Sequence, residues 1–372
     1  MSAATGTFSR LDFVTISLAR GIPAPECLPV EDLADCAEAA LRRDGRTILS
    51  YGSTLGYAPL REWIADRHGV AAERVVVTNG SLQVFHLLLS GLPAGRVIVE
   101  RPTYDRPRKI LLEEGRELGE VAVGRDGMDI DQLERVHAED GPVALLYTIP
   151  TFQNPTGITL SEDGRRRLVA LARERALTVL EDDPYGLVRF DGEPLPTIFE
   201  LEGGEHVMYS SSFSKTVAPG LRVGYAIVPA ALTSQLEPRA AATYITPGLL
   251  AQATLHEFLR RGLLESSLER VRDLLRDRRD AMLEALERGL AGRATWSEPN
   301  GGYFVWLELP DDVDGAALLR RARDARVTFV PGTDFGGEPN TVRLAFSFVT
   351  PAEIAEGVAR LTKLVTAVAA AV

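Results

Sequence analysis

Val75-Val76-Val77-Thr78-Asn79-Gly80-Ser81-Leu82-Gln83-Val84-Phe85-His86-Leu87-Leu88-Leu89 begins as a β-branched run, passes through a polar turn and continues as an apolar helical pattern. Four residues branched at Cβ favour a strand, and the lack of alternating polar residues implies burial on both faces. Asn79-Gly80-Ser81 supplies the turn and the helix start. The unit recurs. Runs at Val97 to Glu100, Val143 to Ile149, Thr178 to Leu180, Val207 to Ser210 and Val223 to Val228 read as further buried strands. Helical patterns at Tyr104 to Glu114 and Ser161 to Arg175 fall between them. This alternation predicts an α/β fold with a large, doubly wound, mainly parallel sheet.

Outward from this core, Leu60, Trp63 and Ile64 among charges predict a helix over Ala58 to His68, closed by Gly69. A charged amphipathic region from Leu249 to Leu290 is followed by a strand, helix, strand, helix series ending at Pro351 to Val372. That series predicts a smaller α+β domain. The expected division is 1–45 for an N-terminal strip and part of the small domain, 46–248 for the large domain, and 249–372 for a long connecting helix and the small C-terminal domain.

The chain has 372 residues and a formal net charge of -11. Such an excess repels nucleic-acid phosphates and anionic lipid, so neither a nucleic acid nor a membrane surface is an expected partner. Two cysteines, Cys27 and Cys36, make no disulfide framework. Nowhere do eighteen apolar residues follow one another, and residues 1–20 lack a basic segment followed by an apolar run, which predicts a cytoplasmic protein. The five histidines are scattered without metal-ligand spacing, and no Gly-x-Gly-x-x-Gly follows a strand. Neither a metal site nor a nicotinamide enzyme is expected.

Of 41 basic residues only three are lysine: Lys109, Lys215 and Lys363. A Schiff base needs an amine, which a permanently protonated guanidinium cannot supply. Lys109 sits in an Arg-rich stretch and Lys363 in the terminal helix; Lys215 has different company. In open parallel sheets ligands bind beyond the carboxyl ends of the strands. There the sequence places Gly80-Ser81, Pro102-Thr103-Tyr104, Asn154-Pro155-Thr156-Gly157, Asp182-Asp183-Pro184-Tyr185 and Ser212-Phe213-Ser214-Lys215. Gly80-Ser81 at a helix start, the Ser212 hydroxyl and the Arg222 cation suit a phosphate. Asp182 or Asp183 could hold a pyridinium nitrogen protonated, and Asn154 and Tyr185 could donate to a phenolate oxygen. Lys215 could serve as both covalent anchor and general base.

Three ordered stretches, Asn154-Pro155-Thr156-Gly157, Asp182-Asp183-Pro184-Tyr185 and Ser210 to Lys215 running on to Pro219-Gly220-Leu221-Arg222-Val223-Gly224, resemble the signatures of the class I/II, fold-type I aminotransferases. The subgroup most resembled contains the 2-aminoadipate and kynurenine aminotransferases. The resemblance implies pyridoxal 5'-phosphate as cofactor, with Lys215 as the Schiff-base lysine and Asp182 as the ring-nitrogen partner, Asp183 falling on a spacer position. It implies Asn154 and Tyr185 at the phenolate oxygen and Tyr104 stacked on the ring. Gly80, Ser81, Ser212 and Arg222 belong to its phosphate site. Leu82 stands where the subgroup usually has glutamine, which leaves a backbone N–H for that contact. Arg343 matches the arginine that forks onto the substrate α-carboxylate, beside Asn154. The strip Leu18 to Pro23 looks like the segment lining the side-chain pocket, which places Gly21 and Arg20 near substrate. Tyr51 resembles the tyrosine donated across a homodimer interface, implying shared active sites.

The implied reaction is ping-pong transfer of an amino group between an L-amino acid and a 2-oxo acid, with 2-oxoglutarate as the expected acceptor. Enzymes of the same fold that eliminate, cyclise or oxidise an amino acid share the cofactor residues. Transcription regulators with an aminotransferase-like sensing domain carry an additional N-terminal DNA-binding domain, whereas here the pattern begins within the first twenty residues.

Overall fold

The computed structural model describes residues 14–139 and 141–369. The start of the expected N-terminal strip, 1–13, and the end of the terminal helix, 370–372, lie outside the described residues. The large sheet has eight strands in the order Val75–Thr78, Gly224–Ile227, Val207–Ser212, Val179–Asp182, Val143–Thr148, Arg96–Arg101, Leu118–Gly124, Gly127–Met128. From Val207–Ser212 to Leu118–Gly124 neighbouring strands are parallel. Gly224–Ile227 is antiparallel to both neighbours, and Gly127–Met128 closes a hairpin at the edge. The sheet is therefore mixed, with a parallel centre. Residues 213–223 contain a short 3-10 turn at Pro219–Leu221 and no crossover helix. A parallel return would need such a crossover.

Alternation along the strands accounts for the double winding. Val76, Val97, Val99, Leu145, Tyr147 and Leu180 face a core shared with Val84, Phe85 and Leu88 of helix Ser81–Gly91 and with Leu236 of helix Ala230–Tyr244. Val75, Ile98, Leu146 and Val179 face the other core, with Leu60 and Ile64 of helix Ala58–His68 and Leu168 of helix Glu162–Arg175. Successive residues point to opposite faces, so each strand needs apolar side chains at both. Ser161 caps its helix by accepting from Gly164 N at 3.2 Å, a contact worth about 1 kcal/mol.

The amphipathic region beginning at Leu249 is two helices, Leu249–Arg260 and Leu263–Leu290, interrupted at Arg261-Gly262. The second packs on the terminal helix Pro351–Ala369. A four-stranded antiparallel sheet orders Thr295–Trp296, Phe304–Glu308, Thr341–Ala345 and Val330–Pro331. The N-terminal strand Ile16–Ser17 joins this part of the molecule by pairing with Val327–Thr328. Arg101, at the end of its strand, reaches Gly336 O at 3.1 Å and Glu338 at 2.9 Å, and Thr103 N donates to Phe335 O at 3.0 Å. These contacts tie the small sheet to the carboxyl end of the large one. No helix among the described residues is long and apolar enough to cross a membrane.

Candidate active site

The Val179–Asp182 strand delivers two adjacent carboxylates to its carboxyl end, and alternation separates their roles. Asp183 is fully engaged: it accepts from Gly186 N at 2.8 Å and Tyr209 Oη at 3.1 Å, which anchors the following turn. Asp182 accepts from Tyr147 Oη at 2.8 Å through Oδ2, while its buried Oδ1 has no hydrogen-bond partner among the described residues. Burial pushes the Asp182 carboxyl up to about 7, against the Tyr147 hydrogen bond that favours its ionised form. A buried acceptor left unpaired costs about 1–3 kcal/mol, so Oδ1 suits a donor supplied from outside the chain.

One strand away, Val207–Ser212 leads into Lys215. The lysine Nζ donates to Gly21 O at 2.6 Å, and Tyr303 Oη holds the Lys215 carbonyl at 2.7 Å. Burial, with repulsion from Arg343 and Arg222, brings the Lys215 ammonium down to about 8. A larger neutral fraction at neutral pH makes it a better nucleophile and base. Its Nζ lies 5.9 Å from the centre of the Tyr185 ring. Burial also pushes Tyr104, at the start of helix Asp105–Glu113, up to about 12, and Tyr185 higher still. Both phenols remain donors.

Gly80, Ser81 and Leu82 form the start of helix Ser81–Gly91, where backbone N–H groups lack intrahelical acceptors. Gly80 has φ 100°, and a Cβ there would run into the Arg222 guanidinium. A Cβ on Gly224 would run into Ser81 N. Two glycines thus let a cation and a helix N-terminus approach one point, the arrangement an anion needs. Arg222 donates to Asn79 O at 3.2 Å and to Ser214 Oγ at 3.3 Å, and Ser212 Oγ lies 2.9 Å from Ser214 Oγ.

Arg343, on the inner strand Thr341–Ala345 of the small sheet, completes the crevice from the opposite side. Its Nη1 donates to Asn154 Oδ1 at 2.9 Å and its Nη2 to Ala19 O at 2.9 Å. The guanidinium carbon sits 4.2 Å from the Phe304 ring centre and 4.7 Å from that of Phe335. Its buried Nε has no hydrogen-bond partner among the described residues, and burial lowers the group to about 10. Gly21 lies against Phe304, where a Cβ would clash with the ring. Arg20 is exposed, 5.0 Å from the Phe348 ring centre.

Most of these residues converge. Two expected site residues have exposed side chains: Arg20, against Phe348, and Tyr51, which is 79% exposed. Several participants were not singled out from sequence: Tyr147, Ser214, Tyr303, and the pair Glu100 and Gln153. Glu100 accepts from Thr148 Oγ1 at 2.6 Å and Gln153 Nε2 at 2.9 Å, while Gln153 also holds Pro102 O at 2.7 Å. That network fastens the Tyr104 loop to the Asn154 loop. A signal for Tyr147 existed, namely a phenol directly after the apolar run Val143 to Leu146.

A cavity of about 1190 Å³ lies elsewhere, between the Leu118–Gly124 edge and the small sheet, lined among others by Arg101, Glu120, Trp296 and Trp306. Neither Lys215 nor Asp182 borders it. Glu202, Glu205 and His206 bring possible metal-ligand atoms within 4.8 Å of one another. Glu202 Oε2, however, accepts from the Glu205, His206 and Val207 amides, and Arg173 stands 3.8 Å from Oε1. This cluster anchors a turn.

The free Asp182 oxygen, the glycine-lined anion cradle and the depressed lysine fit a phosphorylated pyridine aldehyde. Residues 20–361 match the family described as aminotransferase class I and II. The chain is 41% identical over 358 residues to the 2-aminoadipate transaminase of Thermus thermophilus, covering 93% of this chain and 89% of that one. It is 34% identical over 365 residues to aromatic-amino-acid aminotransferase 1 of Thermococcus litoralis, covering 94% and 88%. Its fold superposes with a TM-score of 0.91 on the alpha-aminoadipate aminotransferase of Thermus thermophilus complexed with N-(5'-phosphopyridoxyl)-L-leucine, at 38% identity over 96% of this chain and 94% of that one. Fold and sequence thus agree over nearly the whole chain: it belongs to the class I and II aminotransferases, with the fold-type I architecture, pyridoxal 5'-phosphate as cofactor and transamination as its reaction.

Proposed function

We propose that Lys215 carries the cofactor covalently and that Asp182 Oδ1 holds the ring nitrogen. The observation that carries this reading is the pairing of an unpartnered buried carboxylate oxygen with a lysine whose ammonium is brought down to about 8 in the same crevice. When bound, pyridoxal phosphate supplies an electron sink for the pair left at the substrate α-carbon. The Gly80, Ser81 and Leu82 amides with Ser212 and Arg222 would hold its phosphate, Tyr104 would lie against its ring, and Asn154 and Tyr185 would donate to its phenolate oxygen. Arg343, already oriented by Asn154 and Ala19 O, turns its fork to the substrate carboxylate. Lys215 Nζ would serve as the general base that moves the proton from the substrate α-carbon.

The amino donor enters past the strip 18–23, with Gly21 against its backbone and Arg20 at its side chain. 2-Oxoglutarate is the proposed acceptor. Two chains pair so that Tyr51 of each completes the other's phosphate site; the exposure of Leu49, Tyr51, Ile245 and Leu250 supports such a surface. Division into 1–45, 46–248 and 249–372 and a cytoplasmic location belong to the same reading, the latter supported by free thiols at Cys27 and Cys36. A panel of amino acids given without acceptor tests the reaction: a good donor converts the bound cofactor to its amine form, and 2-oxoglutarate restores the aldehyde. Ammonia or carbon dioxide release with the aldehyde retained throughout would oppose it.

A further inference from the structure

Tyr147 is 1% exposed as the fifth residue of strand Val143–Thr148, where a phenol follows four apolar residues. Its ring packs edge-on against Phe85, with centroids 5.2 Å apart and planes at 69°. Phe85 belongs to the helix whose first turn faces the anion cradle. On the adjacent parallel strand Tyr147 pairs with Leu180, two residues before Asp182, so both side chains lie on one face. There the Tyr147 hydroxyl donates to Asp182 Oδ2 at 2.8 Å. With Oδ2 engaged, Oδ1 is the oxygen left unpaired.

We propose that Tyr147 is a positioning residue for the cofactor ring: its hydroxyl fixes the rotation of the Asp182 carboxylate so that Oδ1 alone is presented to the ring nitrogen, and its ring ties that carboxylate to the phosphate-receiving helix. This rests on the reading that Asp182 faces the ring nitrogen. The direction of the bond is settled by chemistry. Burial, with Asp182, Tyr104 and Glu100 nearby, pushes the Tyr147 phenol well above its ordinary range, so it acts only as donor. Asp182 is raised by burial and by Asp183 and Glu100; the Tyr147 hydrogen bond opposes this rise most strongly, with a smaller contribution from the Ser210 side chain. Removing the hydroxyl raises Asp182 further, leaves less of it ionised at a given pH, and so releases the ring proton at lower pH.

The test uses the apo chain and 4'-deoxypyridoxine 5'-phosphate, which has no aldehyde and cannot bond to Lys215. Absorbance followed against pH reports the ring proton. Tyr147→Phe should lower the pH at which the bound ring loses its proton and weaken binding about tenfold, while inorganic phosphate binds as before. Phe85→Leu, which loosens packing but leaves the hydroxyl, should lower thermal stability without moving the ring titration. Asp182→Asn should move it at least as far as Tyr147→Phe. If Asp182→Asn moves the titration and Tyr147→Phe does not, Tyr147 only fills the core and the proposal fails. If Asp182→Asn leaves it unmoved, the ring-nitrogen reading fails first and takes the proposal with it.

Discussion

Arg343 Nη1 donates to Asn154 Oδ1 at 2.9 Å, joining an inner strand of the small sheet to a loop at the carboxyl end of the large one. The bond sets the plane of the guanidinium and connects two residues expected to meet different parts of one reactant. An arginine held this way offers a carboxylate a planar fork that a flexible ammonium cannot reproduce.

Arg343→Lys should therefore raise the KM for amino acid about 10–100-fold, the loss expected for one charge-assisted hydrogen bond, with a smaller fall in kcat. Steady-state kinetics with a saturating acceptor measures this. An unchanged KM would remove Arg343 from substrate binding.

Lys215 should take up cofactor with the pH dependence of an amine that loses its proton near pH 8. The neutral amine attacks, so the rate of pyridoxal phosphate incorporation into the apo chain should climb with pH and level off above about 8. Stopped-flow absorbance measures it. A rate still climbing towards the ordinary lysine value of about 10.4 would show that the crevice does not depress this group.

Asp182→Asn and Asp183→Asn should part company. The first removes the charge proposed to face the cofactor ring and should abolish most turnover while the proposed phosphate contacts keep the cofactor bound. The second disturbs a turn anchored through Gly186 and Tyr209, and should cost about 1–2 kcal/mol of stability with turnover largely kept. Parallel kinetics and thermal melts distinguish them, and the reverse pattern would mean that the neighbouring carboxylate faces the ring.

Legibility from sequence followed the physics of each segment. The strands around Asp182 and Lys215 announce themselves because both faces are buried, so their apolar runs are unbroken: Val75–Thr78 agrees at both ends and Val143–Thr148 within one residue. The edge hairpin of Leu118–Gly124 and Gly127–Met128 was missed because Glu120 and the glycines interrupt the run where one side meets solvent. Helix Ala230–Tyr244 was obscured by the internal Pro238, and helix Val30–Ile48 by a scatter of charges along its exposed side. Within the crevice, most motif residues were visible because they carry a functional group at or just beyond a strand end, whereas Arg343, inside strand Thr341–Ala345, was legible only through the family resemblance. Tyr147 escaped notice because it lies inside the strand, and Ala19 because it contributes only its carbonyl oxygen.

The proposed sharing of sites between two chains makes a quantitative expectation. Lys215→Ala should be inactive in its own site and Tyr51→Ala should impair its partner's site. Equal amounts randomly reassociated place about half the chains in mixed dimers with one intact site of two, so roughly a quarter of the unmodified activity should return. Recovery no greater than the average of the separate variants, with subunit exchange verified, would place Tyr51 outside the partner's site.

The most direct measurement of the central claim is borohydride reduction of the cofactor-saturated protein followed by peptide mass spectrometry. Reduction converts a Schiff base to a stable secondary amine, and this chain offers only three lysines that could carry it, Lys109, Lys215 and Lys363. Lys109 pairs with Glu113 at 3.7 Å on an exposed helix face, and Lys363 lies in the terminal helix. The adduct should map to Lys215 alone, with loss of the yellow colour and of activity. A phosphopyridoxyl group on Lys109 or Lys363, or none on a protein shown to be saturated, would contradict the account.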